Sequence, residues 1–256
     1  MDQAPAALQD TDKLLQTGLR LFKSGFRDIL GILLVQTISM LVLIVILFSL
    51  TISLYDYTST DFFQFNFIVS LGLSTLLILM VELGFIAAFT SKFWAIAHQT
   101  TITTSHAYRV GINKALPLLI WSLSYLSIVA AGLLLLFIPG LILMVSLFMG
   151  AALVIQDHYS TLGALKASYH MTWPYLRRTL FYLVISILLT ITVYFATIFP
   201  LGMLLSYITN NNPMLSGVFD LAKYALIVML VPLFVALIIP YYMDLRHLAH
   251  HKASTT

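Results

Sequence analysis

Residues 29–54, ILGILLVQTISMLVLIVILFSLTISL, form a run without a single charged side chain. A helix needs about 20 such residues to cross the hydrocarbon of a bilayer, because each residue advances it by about 1.5 Å. This run is therefore long enough to cross a membrane once. Working outward from it, the same apolar character marks five further candidate spans: Phe67–Phe93, Pro117–Phe137, Leu141–Ile155, Leu180–Leu205 and Tyr224–Tyr242.

The composition extends this conclusion to the whole chain. Of its 256 residues, 60% are apolar and only 9% are Asp, Glu, Lys or Arg, against about a quarter charged in an ordinary soluble domain. One soluble core cannot hide that much apolar surface, so we predict an all-α polytopic membrane protein. A soluble enzyme is thereby excluded. The lack of cysteine excludes a disulfide scaffold, and a net charge of only +3 argues against nucleic-acid binding.

Lysine and arginine indicate the orientation, because they concentrate in the cytoplasmic connections of membrane proteins. Twelve of the 13 basic residues lie before the first span, in every second connection or after the last span: Lys13, Arg20, Lys23, Arg27, Lys92, Arg109, Lys114, Lys166, Arg177, Arg178, Arg246 and Lys252. We therefore expect both termini in the cytoplasm. The expected parts are a tail with an interfacial helix in 1–28, a transmembrane domain in 29–242 and a C-terminal tail in 243–256.

The fourth span is the shortest. Leu141–Ile155 measures about 22 Å as a helix, less than the ~30 Å hydrocarbon core, and only Phe137–Gly140 separate it from the third span. The two segments form either a full hairpin or a re-entrant pair. Because a lone segment that failed to cross would move Arg177 and Arg178 to the outer side, we predict the hairpin. The fold class is then six transmembrane helices in three hairpins.

Each hairpin is preceded by a segment that fits an amphipathic helix in the cytoplasmic interface. Before the first span, one apolar stripe faces away from the basic side chains; it consists of Leu15, Leu19, Phe22, Phe26 and Ile29. The segments before spans three and five align without gaps at a shift of 57 residues, which matches Pro117 with Pro174 and Tyr125 with Tyr182. We interpret them as a unit used three times. The alternative is that any inner connection carries basic and aromatic residues.

These basic faces are expected to contact anionic lipid headgroups on the cytoplasmic side. The predicted headgroup contacts are Lys13, Arg20, Lys23, Arg27, Arg109, Lys166, Arg177 and Arg178. Membrane lipids are thus the expected partners, nucleic acid is not, and the sequence identifies no protein partner.

Two stretches of the chain resemble one family. In Leu133–Leu183, an apolar run, Pro-Gly, a short apolar run and a helix of the form ALKxSxxxTxxxxxR precede the next span, and Ile239–Arg246 reads IPYYMDLR. Both are similar to YciC-type bacterial inner-membrane proteins and to the membrane domain attached to some glycerophosphodiester phosphodiesterases. The resemblance implies a bacterial inner-membrane protein but no reaction, because the matched motifs are packing motifs and no phosphodiesterase domain is attached. Met243 departs from the family pattern by interrupting its tyrosine–aspartate pair.

Glu82 is the only acidic residue inside a predicted span. It lies ten residues before Lys92, about 15 Å along the helix, where a carboxylate is costly unless it is protonated or hydrogen-bonded. One interpretation is the proton or cation site of a transporter. The other is a protonated acid bonded to Gln36 or Thr37 at similar depth on the antiparallel first span. We expect the second, with Glu82 turned toward the bundle interior.

The remaining polar residues give no catalytic or metal signature. His247, His250 and His251 have the spacing for a shared metal, but such a tail is more often solvated. Asp157 and His158 are interpreted as a polar turn at the interface. Serine and threonine in the spans are expected to bond to their own or a partner helix. We therefore predict no enzyme, no metal and no cofactor.

Two functions follow from these features. The first is an inner-membrane protein that organises the envelope or its lipids, as a scaffold or in a lipid-associated role. The alternative is a transporter of a small molecule, an ion or a lipid that uses Glu82. A transporter should bring polar groups from several helices together at mid-depth, whereas a scaffold should have a centre filled by Leu and Phe.

Overall fold

The computed structural model describes residues 10–55, 60–209, 228 and 230–255, which are almost entirely helical. A 3₁₀ turn, Trp173–Tyr175, joins α6 to α7, and a π-helical turn, Tyr194–Ile198, joins α7 to α8. In chain order the α-helices are α1 Thr11–Tyr55, α2 Thr60–Ala97, α3 Thr104–Leu135, α4 Phe137–Leu147, α5 Gly150–Gln156, α6 Thr161–Thr172, α7 Leu176–Val193, α8 Phe199–Thr209 and α9 Leu230–Thr255.

Six stretches of the described residues are long and apolar enough to cross a membrane. They are Thr11–Leu47, Val69–Ala97, Thr104–Leu135, Phe137–Gln156, Thr161–Leu204 and Leu230–Ala249. The prediction of an all-α chain with six such helices is confirmed for this part of the protein. The start of predicted span six and residues 210–222 of the last outer connection lie outside the described residues.

The segment before span one is not a separate helix. It continues into the span as the 45-residue α1, which is about 68 Å long and exceeds the ~30 Å hydrocarbon core twofold. The buried positions of this segment are Leu14, Gly18, Leu21, Gly25 and Ile29. All but Ile29 precede the predicted stripe by one residue. The predicted stripe did not include Gly18 and Gly25, because glycine has no apolar side chain. Gly18 is nevertheless closely packed, since a Cβ at this position would lie 2.8 Å from Cα of Leu237.

The fourth span begins earlier than predicted. Helix α4 starts at Phe137, so that the stretch from the start of α4 to the end of α5 covers 20 residues and about 30 Å. Pro139 fits in the first turn of α4, where the N–H that proline lacks has no intrahelical partner in any case. Leu136 alone turns the chain; its N–H donates to the Gly132 carbonyl, and its own carbonyl accepts from the Gly140 N–H. The tip is apolar and strongly exposed, with Leu134 at 87%.

Two hydrophobic clusters fill the interior of the described bundle. One surrounds Trp121, Tyr182 and Tyr241 and includes Leu14 from the start of α1. The other surrounds Phe89 and Phe93 and joins α1 to α2 and α9. Both lie toward the end of the bundle where α1 and α3 begin and α2, α5 and α9 end. We call this the basic end, because Lys92, Lys114, Arg178 and Arg246 lie there.

The two best-matched repeat segments begin with the same capping geometry. Thr103 caps α3 by accepting the His106 N–H, and Ser160 caps α6 by accepting the Gly163 N–H, which are the same positions at the shift of 57. The matched prolines differ, however. Pro117 lies inside the continuous α3, whereas Pro174 lies in the 3₁₀ turn that separates α6 from α7.

Candidate functional site

The structure brings Gln36 and Glu82 together. Gln36 Nε2 on α1 donates to Glu82 Oε2 on α2 at 2.7 Å, so the predicted contact is confirmed. Gln36 is fully buried, and its Oε1 has no hydrogen-bond partner. A proton on the Glu82 carboxyl would supply the donor that this oxygen lacks. Thr37, the third member of the predicted polar site, donates to the Leu33 carbonyl of its own helix.

Glu82→Gln is expected to leave stability and cellular phenotype nearly unchanged, because an amide keeps the shape and the hydrogen-bonding capacity of the neutral acid. Glu82→Leu should lower the free energy of unfolding by about 1 kcal/mol, because it leaves the buried Gln36 amide without this acceptor. Denaturation of the purified variants in detergent measures the difference. A Glu82→Gln protein that folds and inserts but has a null phenotype would instead make proton-coupled transport the leading function.

Several hydroxyl groups in the spans bond within their own helix, as predicted, but the buried hydroxyl groups of Ser70 and Ser186 have no hydrogen-bond partner among the described residues. Thr37, Ser122, Ser124, Ser127, Thr190 and Thr192 each donate to a carbonyl three or four residues earlier. Among the described residues, the hydrogen bond of Gln36 to Glu82 joins α1 to α2. An ion or solute pathway would require polar groups from several helices to converge at this depth.

The predicted headgroup contacts all lie on the surface of the basic end. Arg178 is half-buried, and the other seven, Lys13, Arg20, Lys23, Arg27, Arg109, Lys166 and Arg177, are exposed. Two other basic side chains are used inside the protein instead. Lys92 Nζ donates to the Ile102 carbonyl at 2.6 Å, and Lys114 Nζ donates to the Val154 carbonyl at 2.9 Å and lies 2.8 Å from His158 Nδ1.

A cluster that the sequence did not predict lies at the same end. Asp157, directly after α5, pairs with Arg246 on α9 at 2.6 Å and also accepts the hydroxyl of the buried Tyr242. The Arg246 guanidinium stacks 5.4 Å above the Trp94 ring of α2. Asp157 was interpreted as part of a polar turn, but its carboxylate is only 13% exposed and connects two distant parts of the chain.

The neighbouring contacts join the same two stretches. Arg178 lies 3.8 Å from Asp244. Tyr241 stacks on Tyr182 with ring centres 4.5 Å apart and shares a 2.7 Å hydrogen bond with Thr179. The stretches 133–183 and 239–246, which carry the family resemblance, thus pack against each other.

The ALKxSxxxT helix has a defined task in this packing. Ser168 and Thr172 of α6 both donate to the Ser146 carbonyl, at 2.8 and 2.7 Å. That carbonyl lies where α4 ends, so its usual intrahelical partner is lost at the break before α5. The two hydroxyl groups of the motif therefore supply hydrogen bonds to the Ser146 carbonyl at the break in span four. The spacing of Ser168 and Thr172 in the sequence did not predict these hydrogen bonds. The contact between 133–183 and 239–246 could have been suspected, because both stretches resemble the same family.

Within the described residues, no group of three or more His, Asp or Glu side chains could hold a metal ion. The side chains of His250 and His251 lie outside the described set. Comparisons of the chain with protein-family models, with curated proteins and with solved structures found no match.

Proposed function

We propose that this chain is a multi-pass protein of the bacterial inner membrane that organises anionic lipid at the cytoplasmic face, as a scaffold or in another lipid-associated role. The proposed function does not include catalysis of a reaction. The observation that carries it is the division of the molecule into an apolar, closely packed interior and an exposed basic rim at one end. Such a rim suits anionic headgroups, and each lysine or arginine near the membrane surface contributes about 1 kcal/mol to their attraction.

The proposed topology has six spans in three hairpins, with both termini inside and an interfacial amphipathic segment before each hairpin. The clustering of basic residues at one end of the described bundle supports this orientation, since positive charge accumulates on the cytoplasmic side. The length of α1 supports an interfacial segment, because about half of this helix has no room in the hydrocarbon.

Reporter fusions test the topology. A periplasmic reporter is expected to be active when fused at Ser59 or Asn211, and a cytoplasmic reporter when fused at Lys114. The reason is that Lys114 lies among the basic residues, whereas the other two positions fall in the acidic connections. Periplasmic activity at Lys114 would disprove the orientation.

Lipid analysis tests the function. The protein extracted from its membrane in polymer-bounded discs should carry a higher fraction of anionic phospholipid than the bulk membrane. Discs formed around an unrelated six-span protein of low charge provide the control. A lipid composition equal to that of the bulk membrane would contradict the proposal.

The transporter remains the alternative, favoured by one observation: the buried Gln36 Oε1 that lacks a partner beside Glu82. Reconstituted vesicles with a pH gradient and a pH-sensitive dye distinguish the two. A scaffold should leak protons no faster than empty vesicles do, whereas a proton-coupled transporter should leak or respond to substrate in a manner that Glu82→Gln abolishes.

A further inference from the structure

A groove of about 640 Å³ opens along one side of α7. Among the described residues, Arg177 and Arg178 line the end of the groove where α7 begins, and Leu180, Phe181 and Val184 follow along the helix. The three apolar side chains are between 43% and 57% exposed. From Arg177 to Val184 the groove extends about 10 Å along the helix, which is most of the way through the hydrocarbon of one leaflet, half of the ~30 Å core.

The aromatic residues next to the groove indicate its depth. Trp173 is 48% exposed and stacks on Tyr169 with ring centres 4.9 Å apart, just before α7 begins. Exposed tryptophan and tyrosine favour the headgroup level of a membrane. The arginines follow within about one helical turn, so their guanidinium groups lie where phosphates lie, and the apolar lining continues into the acyl region.

The two arginines are held differently. Asp244 of α9 lies 3.8 Å from Arg178 and restrains that side chain against the bundle. Arg177 is exposed, with no carboxylate within salt-bridge distance among the described residues. A guanidinium presents paired N–H donors that match the oxygens of a phosphate.

We propose that this groove binds one anionic phospholipid of the cytoplasmic leaflet, with its phosphate at Arg177 and Arg178 and an acyl chain along Leu180, Phe181 and Val184. The proposal rests on the lipid-organising function given above and deepens it, because it names one site and one ligand class. Charge complementarity identifies the occupant: two arginines at the phosphate level and an apolar surface below them match a phospholipid, whereas an apolar protein helix would offer the arginines no anionic partner.

The repeat provides an internal control. At the shift of 57 residues, Ile120 takes the place of Arg177 and Leu123 the place of Leu180, and both are exposed on α3. That face therefore has the same exposure but no cation at the headgroup end. Lys252 in the C-terminal tail, which is not among the predicted headgroup contacts, provides the control for charge alone.

Native mass spectrometry of the full chain tests the proposal by titration with phosphatidylglycerol, with phosphatidylcholine for comparison. Arg177→Gln/Arg178→Gln is expected to weaken phosphatidylglycerol binding about thirty-fold, equivalent to about 2 kcal/mol. Leu180→Trp should also weaken it by filling the groove without changing the charge. Lys252→Gln and Leu123→Trp should bind as the unaltered protein does. Thermal denaturation confirms folding of each variant, and Arg177→Gln alone replaces the double variant if loss of the Asp244 contact prevents folding.

Two results would overturn the site. One is unchanged phosphatidylglycerol binding in both groove variants. The other is an equal loss in Lys252→Gln, which would assign the binding to diffuse positive charge and leave the lipid-organising function standing. A different result would contradict the lipid-organising function itself: equal binding of phosphatidylglycerol and phosphatidylcholine to the unaltered protein.

Discussion

Gly111→Ala is expected to lower the free energy of unfolding by about 2 kcal/mol, the middle of the range for overfilling a packed interior. A Cβ at Gly111 would lie 2.5 Å from the backbone carbonyl oxygen of Gly84 on α2. Because that oxygen belongs to a helix backbone rather than to a flexible side chain, α2 and α3 must move apart to admit the methyl group. Small residues at such crossings are what lets membrane helices approach closely.

Gly72→Ala is the matched control, since it makes the same chemical change on α2 where, among the described residues beyond the adjacent turns of α2 itself, no atom lies within 4 Å of the new Cβ. It should not lower stability, because alanine favours the helix more than glycine does. Unfolding in mixed micelles with increasing denaturing detergent measures both variants. Equal stability of Gly111→Ala and Gly72→Ala would show that the two helices do not meet at this crossing.

Asp157→Ala is expected to have the largest effect, a loss of about 3 kcal/mol. It leaves the Arg246 guanidinium without its ion-pair partner and the buried Tyr242 hydroxyl without its acceptor. The same detergent unfolding measures the loss, and Asp28→Ala, which removes an exposed carboxylate on α1, should change stability by less than about 0.5 kcal/mol.

A double-variant cycle identifies the cause of the loss. Asp157→Ala combined with Arg246→Leu should destabilise the protein by less than the two single losses together, because the double variant no longer holds a half-buried charge without its partner. Strict additivity would mean that the ion pair at 2.6 Å does not couple α5 to α9.

At the candidate sites, one contact between polar residues could be predicted from the sequence and another could not. The contact of Gln36 with Glu82 could be predicted, because two antiparallel helices with a fixed rise bring residues of equal depth to the same level. The Asp157–Arg246 pair could not be, because 89 residues separate the partners and nothing in their local sequence encodes which helices become neighbours.

The amino-acid sequence is enough to show that this chain is rich in apolar helical segments, that six of them are long enough to cross a membrane, and that 12 of its 13 basic residues fall in alternate connections and the two tails. These properties depend on composition and on the rise of a helix, so they can be counted along the chain. The tertiary structure was needed to show which face of α1 is buried and where span four begins. It was also needed to show that the stretches 133–183 and 239–246 meet at Asp157. It also showed the groove beside Arg177. These features depend on close approaches of helix backbones, which glycine permits because it has no side chain. They also depend on polar pairs between helices that are far apart in the sequence, which no local pattern encodes.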